Sequence, residues 1–119
     1  MRIAIPIWDK KISPVFDTAL NLLVLDIENG CVTARSVKSM QEKDLNRRCS
    51  HISKLGVDVL ICGAISHNFQ SMLSSQGINV IEEISGFADD IVDAYLKGNL
   101  LDSDFMMPWC KRKRRRHQR

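Results

Sequence analysis

The sequence predicts an α/β protein built on a mixed five-stranded sheet covered by helices. Three observations carry that prediction: apolar runs of strand length, amphipathic stripes of helical period closed by glycines, and an Asn-Gly pair between two early β-prone runs. A hairpin followed by strand–helix repeats does not build a simple alternating parallel sheet. The hairpin adds antiparallel strands on one side of a sheet that βαβ crossovers extend on the other.

Ile3, Ile5 and Ile7 alternate with Arg2, Ala4 and Pro6, a strand with one richer face that Pro6 closes by removing a ladder donor. After a loop through Pro14 and Asp17, residues 22–27 and 31–37 flank Glu28-Asn29-Gly30, whose Asn-Gly pair favours the left-handed conformations of a tight turn. In residues 42–55, Leu45, Cys49, Ile52 and Leu55 recur at spacings of four, three and three, a helical stripe that Gly56 ends. Val59-Leu60-Ile61-Cys62, between Asp58 and Gly63, reads as a central strand covered on both faces. Ser66 caps a second helix with Phe69, Met72 and Leu73 on one face and Gly77 at its end, and residues 78–81 form another strand. A third helix over residues 87–97 turns Phe87, Ile91, Val92 and Tyr95 inward. It starts with Asp89 and Asp90 near the positive helix end and stops at Gly98.

At 119 residues the chain fits one domain, over residues 1–110, with a basic tail over residues 111–119 that has no apolar residue to anchor it and reads as disordered. The 45% hydrophobic and 26% charged composition is that of a soluble globule, and no apolar run approaches the roughly 18 residues that span a bilayer. No secretory signature follows Met1, so a cytoplasmic protein with no membrane partner is expected. Cys31, Cys49, Cys62 and Cys110 lie far apart with no CxxC pair and read as free thiols. The net charge of +3 is misleading, since seven of the last nine residues are Lys or Arg. Without them ten basic side chains face fourteen acidic ones, about −4 for the body. Only the tail attracts polyanions, and without interleaved aromatics nucleic acid is not the expected partner.

Ligands of open α/β sheets bind beyond the carboxyl ends of the strands, where chain connections diverge. Here that point lies between the first strand and the fourth. It brings Trp8 and Asp9 toward Cys62, Gly63, Ala64, Ile65, Ser66 and His67, where free N–H groups at a helix start suit an anion in an electropositive pocket. By residue type Cys62 is a small core side chain about twice as readily as a thiolate, and His67 serves as a ligand or as an idle surface residue. Cys49 falls on the apolar stripe and is expected in the core; Cys49-Ser50-His51 lacks the second pair that a zinc site needs. Neither phosphate-binding glycine motif is present, and no third residue orients Cys62 and His67 as a nucleophilic pair.

Several stretches, in order, carry a resemblance: Ile12-Ser13-Pro14-Val15-Phe16-Asp17 with Ala19, Leu25-Asp26-Ile27-Glu28-Asn29-Gly30, Gly56-Val57-Asp58-Val59-Leu60-Ile61-Cys62-Gly63-Ala64-Ile65-Ser66, Gly77-Ile78 with Val80-Ile81, and Met107-Pro108-Trp109-Cys110. Over residues 1–110 the chain resembles the dinitrogenase iron–molybdenum cofactor biosynthesis family, the NifX, NafY and NifB C-terminal type of domain. The resemblance implies a three-layer α/β/α, ribonuclease H-like fold without catalysis. It also implies binding of an anionic metal–sulfur cluster, an iron–molybdenum cofactor precursor or a molybdenum–copper sulfide as in orange proteins, with cofactor-assembly proteins as partners. The chain departs from the family at Trp109, where relatives often have glycine, and at Val15-Phe16-Asp17, where many have His-Phe-Gly.

The expected site has Trp8, Asp9, Gly63, Ala64, Ile65, Ser66 and His67 around the cluster and Cys62, His67 and Cys110 as metal ligands. The alternative from another class is a regulatory or scaffold module contacting protein or nucleic acid through the tail. A metal-dependent nuclease using Asp9 ranks last, because two-metal chemistry needs several convergent carboxylates.

Overall fold

The computed structural model describes residues 1–98 and Leu100. The expectations for residues 101–119, including the role of Cys110 and the disorder of the tail, lie outside the described residues. Ten short elements follow the chain. β1 (Arg2–Trp8), β2 (Lys11–Ile12) and a single 3-10 turn (Phe16–Thr18) lead into the hairpin β3 (Asn21–Glu28) and β4 (Cys31–Ser39). Then come α1 (Leu45–Lys54), β5 (Val59–Ile61), α2 (His67–Ser75), β6 (Asn79–Ile81) and α3 (Ala88–Lys97).

The mixed sheet runs β4-β3-β1-β5-β6. β3 is antiparallel to β1 and to β4, whereas β5 is parallel to β1 and to β6. The hairpin thus extends the sheet on one side and the crossovers on the other, as the element order requires. At the hairpin tip Asn29 and Gly30 hold φ of 53° and 76°, the left-handed pair expected of the Asn-Gly turn. The sheet has six strands rather than five, because the two-residue β2 pairs with β1 at Ile7↔Ile12. Two residues carry no periodicity, so the element is invisible to pattern reading.

β1 also continues through Pro6, contrary to the expected stop. Met1 and Ile27 exchange backbone bonds (2.8 and 3.1 Å), and pairing then alternates along the antiparallel ladder. Pro6, opposite Leu22, falls at a non-hydrogen-bonded position, so its missing N–H removes nothing from that ladder.

Both sheet faces are covered. α1 and α2 bury Cys49, Ile52, Phe69 and Leu73 against Ala4, Leu22, Val24 and Leu60. α3 buries Ile91, Val92 and Ala94 against Ile3, Ile5, Leu23, Leu25 and Ile61. β1 lies under both layers, which is why Ile3, Ala4 and Ile5 are all fully buried. Helix α1 begins later than expected, at Leu45, because the Asp44 side chain accepts the Asn46 N–H at 2.9 Å and caps it there. Phe87, expected inward, is the cap residue of α3 and stands half exposed, with the Lys11 ammonium 5.1 Å from its ring centre. Among the described residues β4 is an edge of the sheet: all nine of its residues are exposed, Arg35 reaches Asp89 at 2.8 Å, and its register with β3 shifts between Asp26 and Ile27. No described helix is long and apolar enough to cross a membrane.

Candidate functional site

β1 and β5 lie side by side, and the chain diverges beyond their carboxyl ends, where a crevice was expected. The protein fills that space with its own backbone. β2 pairs with the end of β1 on the side left open where β5 stops, and Ser13 N donates to Pro6 O at 2.8 Å. The next residues zip onto the Gly63 turn: Ala64 N donates to Pro14 O and Phe16 N to Ala64 O, each at 2.8 Å. From the other side Glu83 N reaches Gly63 O at 2.9 Å, Ile84 N reaches Cys62 O at 3.0 Å, and Ile12 N reaches Gly86 O at 3.0 Å. The opening beside Gly63 is therefore sealed, and Trp8 and Asp9 stand on the far side of the residue 11–16 segment from Ala64.

Cys62 sits under this seal with no exposure, packed with Phe16 and Phe69. Burial, helped by the nearby Glu82 and Asp17 carboxylates, pushes its thiol up to about 12, so at neutral pH it is a protonated core side chain. Cys49 is likewise buried, and burial raises its thiol. The start of α2 is satisfied internally as well. The Ser66 side chain accepts from Phe69 N at 3.3 Å, and the Asp17 carboxylate accepts from Ser66 N at 3.0 Å. An internal anion thus occupies part of the helix start that was expected to hold a ligand. His67, in the first turn of α2, is exposed, as are Trp8 and Asp9, the latter at a positive φ of 59°.

The charge at this end of the sheet also differs from the expected electropositive pocket. Charges of both signs lie there: Asp9, Asp17, Glu82, Glu83, Asp89 and Asp90 stand beside Lys10, Lys11, Lys38 and Arg48, with Asp89 paired to Arg35. Among the described residues, no three His, Cys, Asp or Glu side chains come together in a way that could hold a metal ion. An open groove of about 320 Å³ lies at this end between the end of β1 and the start of β3, lined by Ile7, Trp8, Pro14, Val15, Ala19 and Leu20 among others.

One residue that organises the site carried no functional signal in the sequence. Arg48 of α1 is 2% exposed, and its guanidinium donates to Ala19 O (2.9 Å), Phe16 O (3.4 Å) and Met40 O (3.5 Å), leaving Nε without a partner among the described residues. Burial pulls its pKa down, while Asp17 and Glu42 favour the charged form. It ties the 3-10 turn bearing Asp17 to α1. The available sign was an arginine directly beside Cys49 on a stripe otherwise facing the core.

Comparison with known proteins adds four findings. The family model described as dinitrogenase iron-molybdenum cofactor matches residues 1–98. The uncharacterized protein MJ0580 of Methanocaldococcus jannaschii is 25% identical over 105 residues, covering 84% of this chain and 89% of that protein. Among solved structures, PH0822 superposes with a TM-score of 0.78 at 24% identity, covering 82% of this chain and 90% of that one. The apo form of the orange protein from Desulfovibrio gigas gives 0.69 at 20% identity, covering 82% and 88%. These two likenesses support the α/β fold.

Proposed function

The chain belongs to the dinitrogenase iron-molybdenum cofactor family, and from that premise we propose that it is a non-catalytic carrier of an anionic metal–sulfur cluster during cofactor assembly. The family match over residues 1–98 is the single observation that carries this reading. The cargo is an iron–molybdenum cofactor precursor or a molybdenum–copper sulfide, handed between assembly proteins in the cytoplasm.

The loop end is the contact surface. Trp8 and Asp9 are exposed on one side of the residue 11–16 segment and Ser66 and His67 on the other, with Ala64 and Ile65 half-buried beside the latter pair, so cargo meets an indole or an imidazole without entering the core. Gly63 and Cys62 form the floor beneath, and a thiolate from Cys62 becomes available only if the residue 14–16 segment lifts from Ala64. Imidazole and thiolate suit thiophilic metals, and Cys110, outside the described residues, is the second expected ligand. Charges of both signs at the loop end give a polyanion little net attraction, so the basic run after Cys110 supplies the favourable charge.

Anaerobic incubation of the full chain with tetrathiomolybdate and copper(I), or with a preformed iron–sulfur–molybdenum species, followed by desalting, tests the proposal. Metal and visible absorption co-eluting with the protein, and falling for His67→Ala and Cys110→Ala, are expected. Complete loss of metal on desalting for every species overturns it.

A further inference from the structure

Strand β4 ends the described sheet on the hairpin side, with β3 on one flank and no described strand on the other. Met40 N donates to Leu20 O at 2.7 Å, and carrying that pairing along the β3–β4 register turns the backbone groups of Ala34, Ser36 and Lys38 toward β3. Those of Arg35 and Val37 point outward. Residues 34–39 keep one register, because the shift lies on the far side of Ala34, so this stretch offers a regular template for another strand.

The two sheet faces along this edge differ in charge. On one side lies α1, which holds Arg47, Arg48, His51 and Lys54 and no acid, while β4 itself holds Arg35 and Lys38 and no acid. Lys38 and Lys54 line a concavity of about 230 Å³ between β4 and the end of α1, with Ser36, Arg2 and Asp26 among its other residues. The acids near this face are engaged: Asp26 with Arg2 at 2.7 Å, Glu42 with His51 at 3.5 Å, and Asp44 with the Asn46 N–H. Lys38, Lys43, Arg47 and Lys54 form no ion pair among the described residues. A net positive strip therefore borders the edge on the α1 side. On the other side α3 brings Asp89, Asp90 and Asp93, of which Asp89 holds Arg35 at 2.8 Å and Asp93 holds Lys97 at 2.9 Å, and Val37 stands 57% exposed.

These features select one kind of occupant. An unpaired edge takes an extended segment by backbone hydrogen bonds, and alternate side chains of that segment fall on opposite faces. Those on the α1 side meet Lys38 and Lys54 and fit carboxylates, whereas those on the α3 side meet Val37 near like-charged acids and fit apolar groups. A second β4 offers like charge instead. We propose that β4 is a docking edge for an extended segment of a partner protein, alternating acidic and apolar residues, which adds to residues 34–39 as a further strand. The contact is independent of what the loop end carries.

The probe is a blocked synthetic peptide alternating Glu and Val, added to the full chain, with one alternating Lys and Val as control. Hydrogen exchange read by NMR distinguishes the two sides of β4: in the free protein the Arg35 and Val37 amides exchange quickly, and β3 protects those of Ser36 and Lys38. Saturating Glu–Val peptide should slow the Arg35 and Val37 amides about tenfold or more and give nuclear Overhauser contacts from its backbone to theirs. Reversing two charges, Lys38→Glu with Lys54→Glu, should weaken binding about tenfold or more, and raised salt should weaken binding to the unaltered protein. Val37→Pro should abolish it, because that N–H serves no bond to β3 and its loss leaves the ladder intact. Circular dichroism checks the folding of each variant, and the charge reversal, which alters no backbone group, decides the matter should the proline variant unfold. Unchanged exchange at Arg35 and Val37 overturns the proposal, as does equal binding of the Lys–Val peptide or full binding by the charge-reversed protein. Slow exchange at both amides before any peptide is added overturns it too, since a second copy or the chain's own residues past 100 then fill the edge.

Discussion

Replacing Phe69 by Ala tests whether the wedge beside the loop end is as tightly built as its contacts imply. Phe69 of α2 and Phe16 of the 3-10 turn are both fully buried, with ring centres 4.8 Å apart and planes inclined at 48°. Truncating a buried Phe to Ala typically removes about 3–5 kcal/mol. The upper part of that range applies here, because the tilted pair with Phe16 adds about 1 kcal/mol beyond area burial. Leu73 in α2 and Cys62 just past β5, both fully buried in the same cluster, sit on backbone held by its own hydrogen bonds and cannot readily collapse into the space. We expect a loss of about 4–5 kcal/mol, a third or more of a typical domain's stability. Urea unfolding followed by far-ultraviolet circular dichroism should show a midpoint lowered by about 2 M or more at unchanged slope. Phe69→Leu, which keeps most of the volume, should lose only about 1–1.5 kcal/mol. The Phe16 and Ser66 amides should exchange faster in Phe69→Ala, because the ring pair presses the loop onto the turn. A loss under about 2 kcal/mol with an unchanged slope would refute the reasoning, since such a side chain is not locked in a dense core.

Thiol labelling of the native protein at pH 8 should modify Cys31, which is exposed, well ahead of Cys49 and Cys62, with peptide mass mapping as the readout; labelling of Cys62 at the rate of Cys31 would contradict its burial. Arg2 Nε bonds Asp26 at 2.7 Å and holds its carboxyl below the usual value, so the pair's contribution is complete above about pH 4 and fades as acid carries the pH through the lowered value. The stability difference between wild type and Asp26→Asn should therefore shrink on acidification, measured by urea midpoints from neutral pH down to about pH 2. Asp44→Ala, which removes the acceptor of the Asn46 N–H, should lower stability by about 1 kcal/mol, whereas Asp44→Ser should retain most of it.

The fold was legible wherever apolar spacing was long enough to fix a period. The stripe Leu45-Cys49-Ile52-Leu55, the run 59–62 and the Asn29-Gly30 turn each name their element from local sequence. The site was less legible, because its form depends on what a loop does in three dimensions. Nothing in Lys11-Ile12-Ser13-Pro14 announces that two residues pair with β1 and the next four seal the Gly63 turn. Asp17 is an ordinary loop acid until the backbone brings it to Ser66 N, where it answers the helix end that seemed free. Phe87 looked like the first inward residue of its helix by spacing, but a cap residue has non-helical φ and ψ and its side chain follows no helical face.

The uncovered edge strand has a bearing on how the protein behaves in a crowded refolding mixture. A nine-residue strand whose outer edge pairs with none of the described residues invites foreign chains to add on, yet β4 presents Arg35 and Lys38 on opposite faces, and its irregular register bends one end out of line. Two like cations approaching head-on repel before backbones can meet. Changing both to threonine or valine would flatten that defence, and the first sign would be fibrillar precipitate on dilution from denaturant rather than any change in the native state.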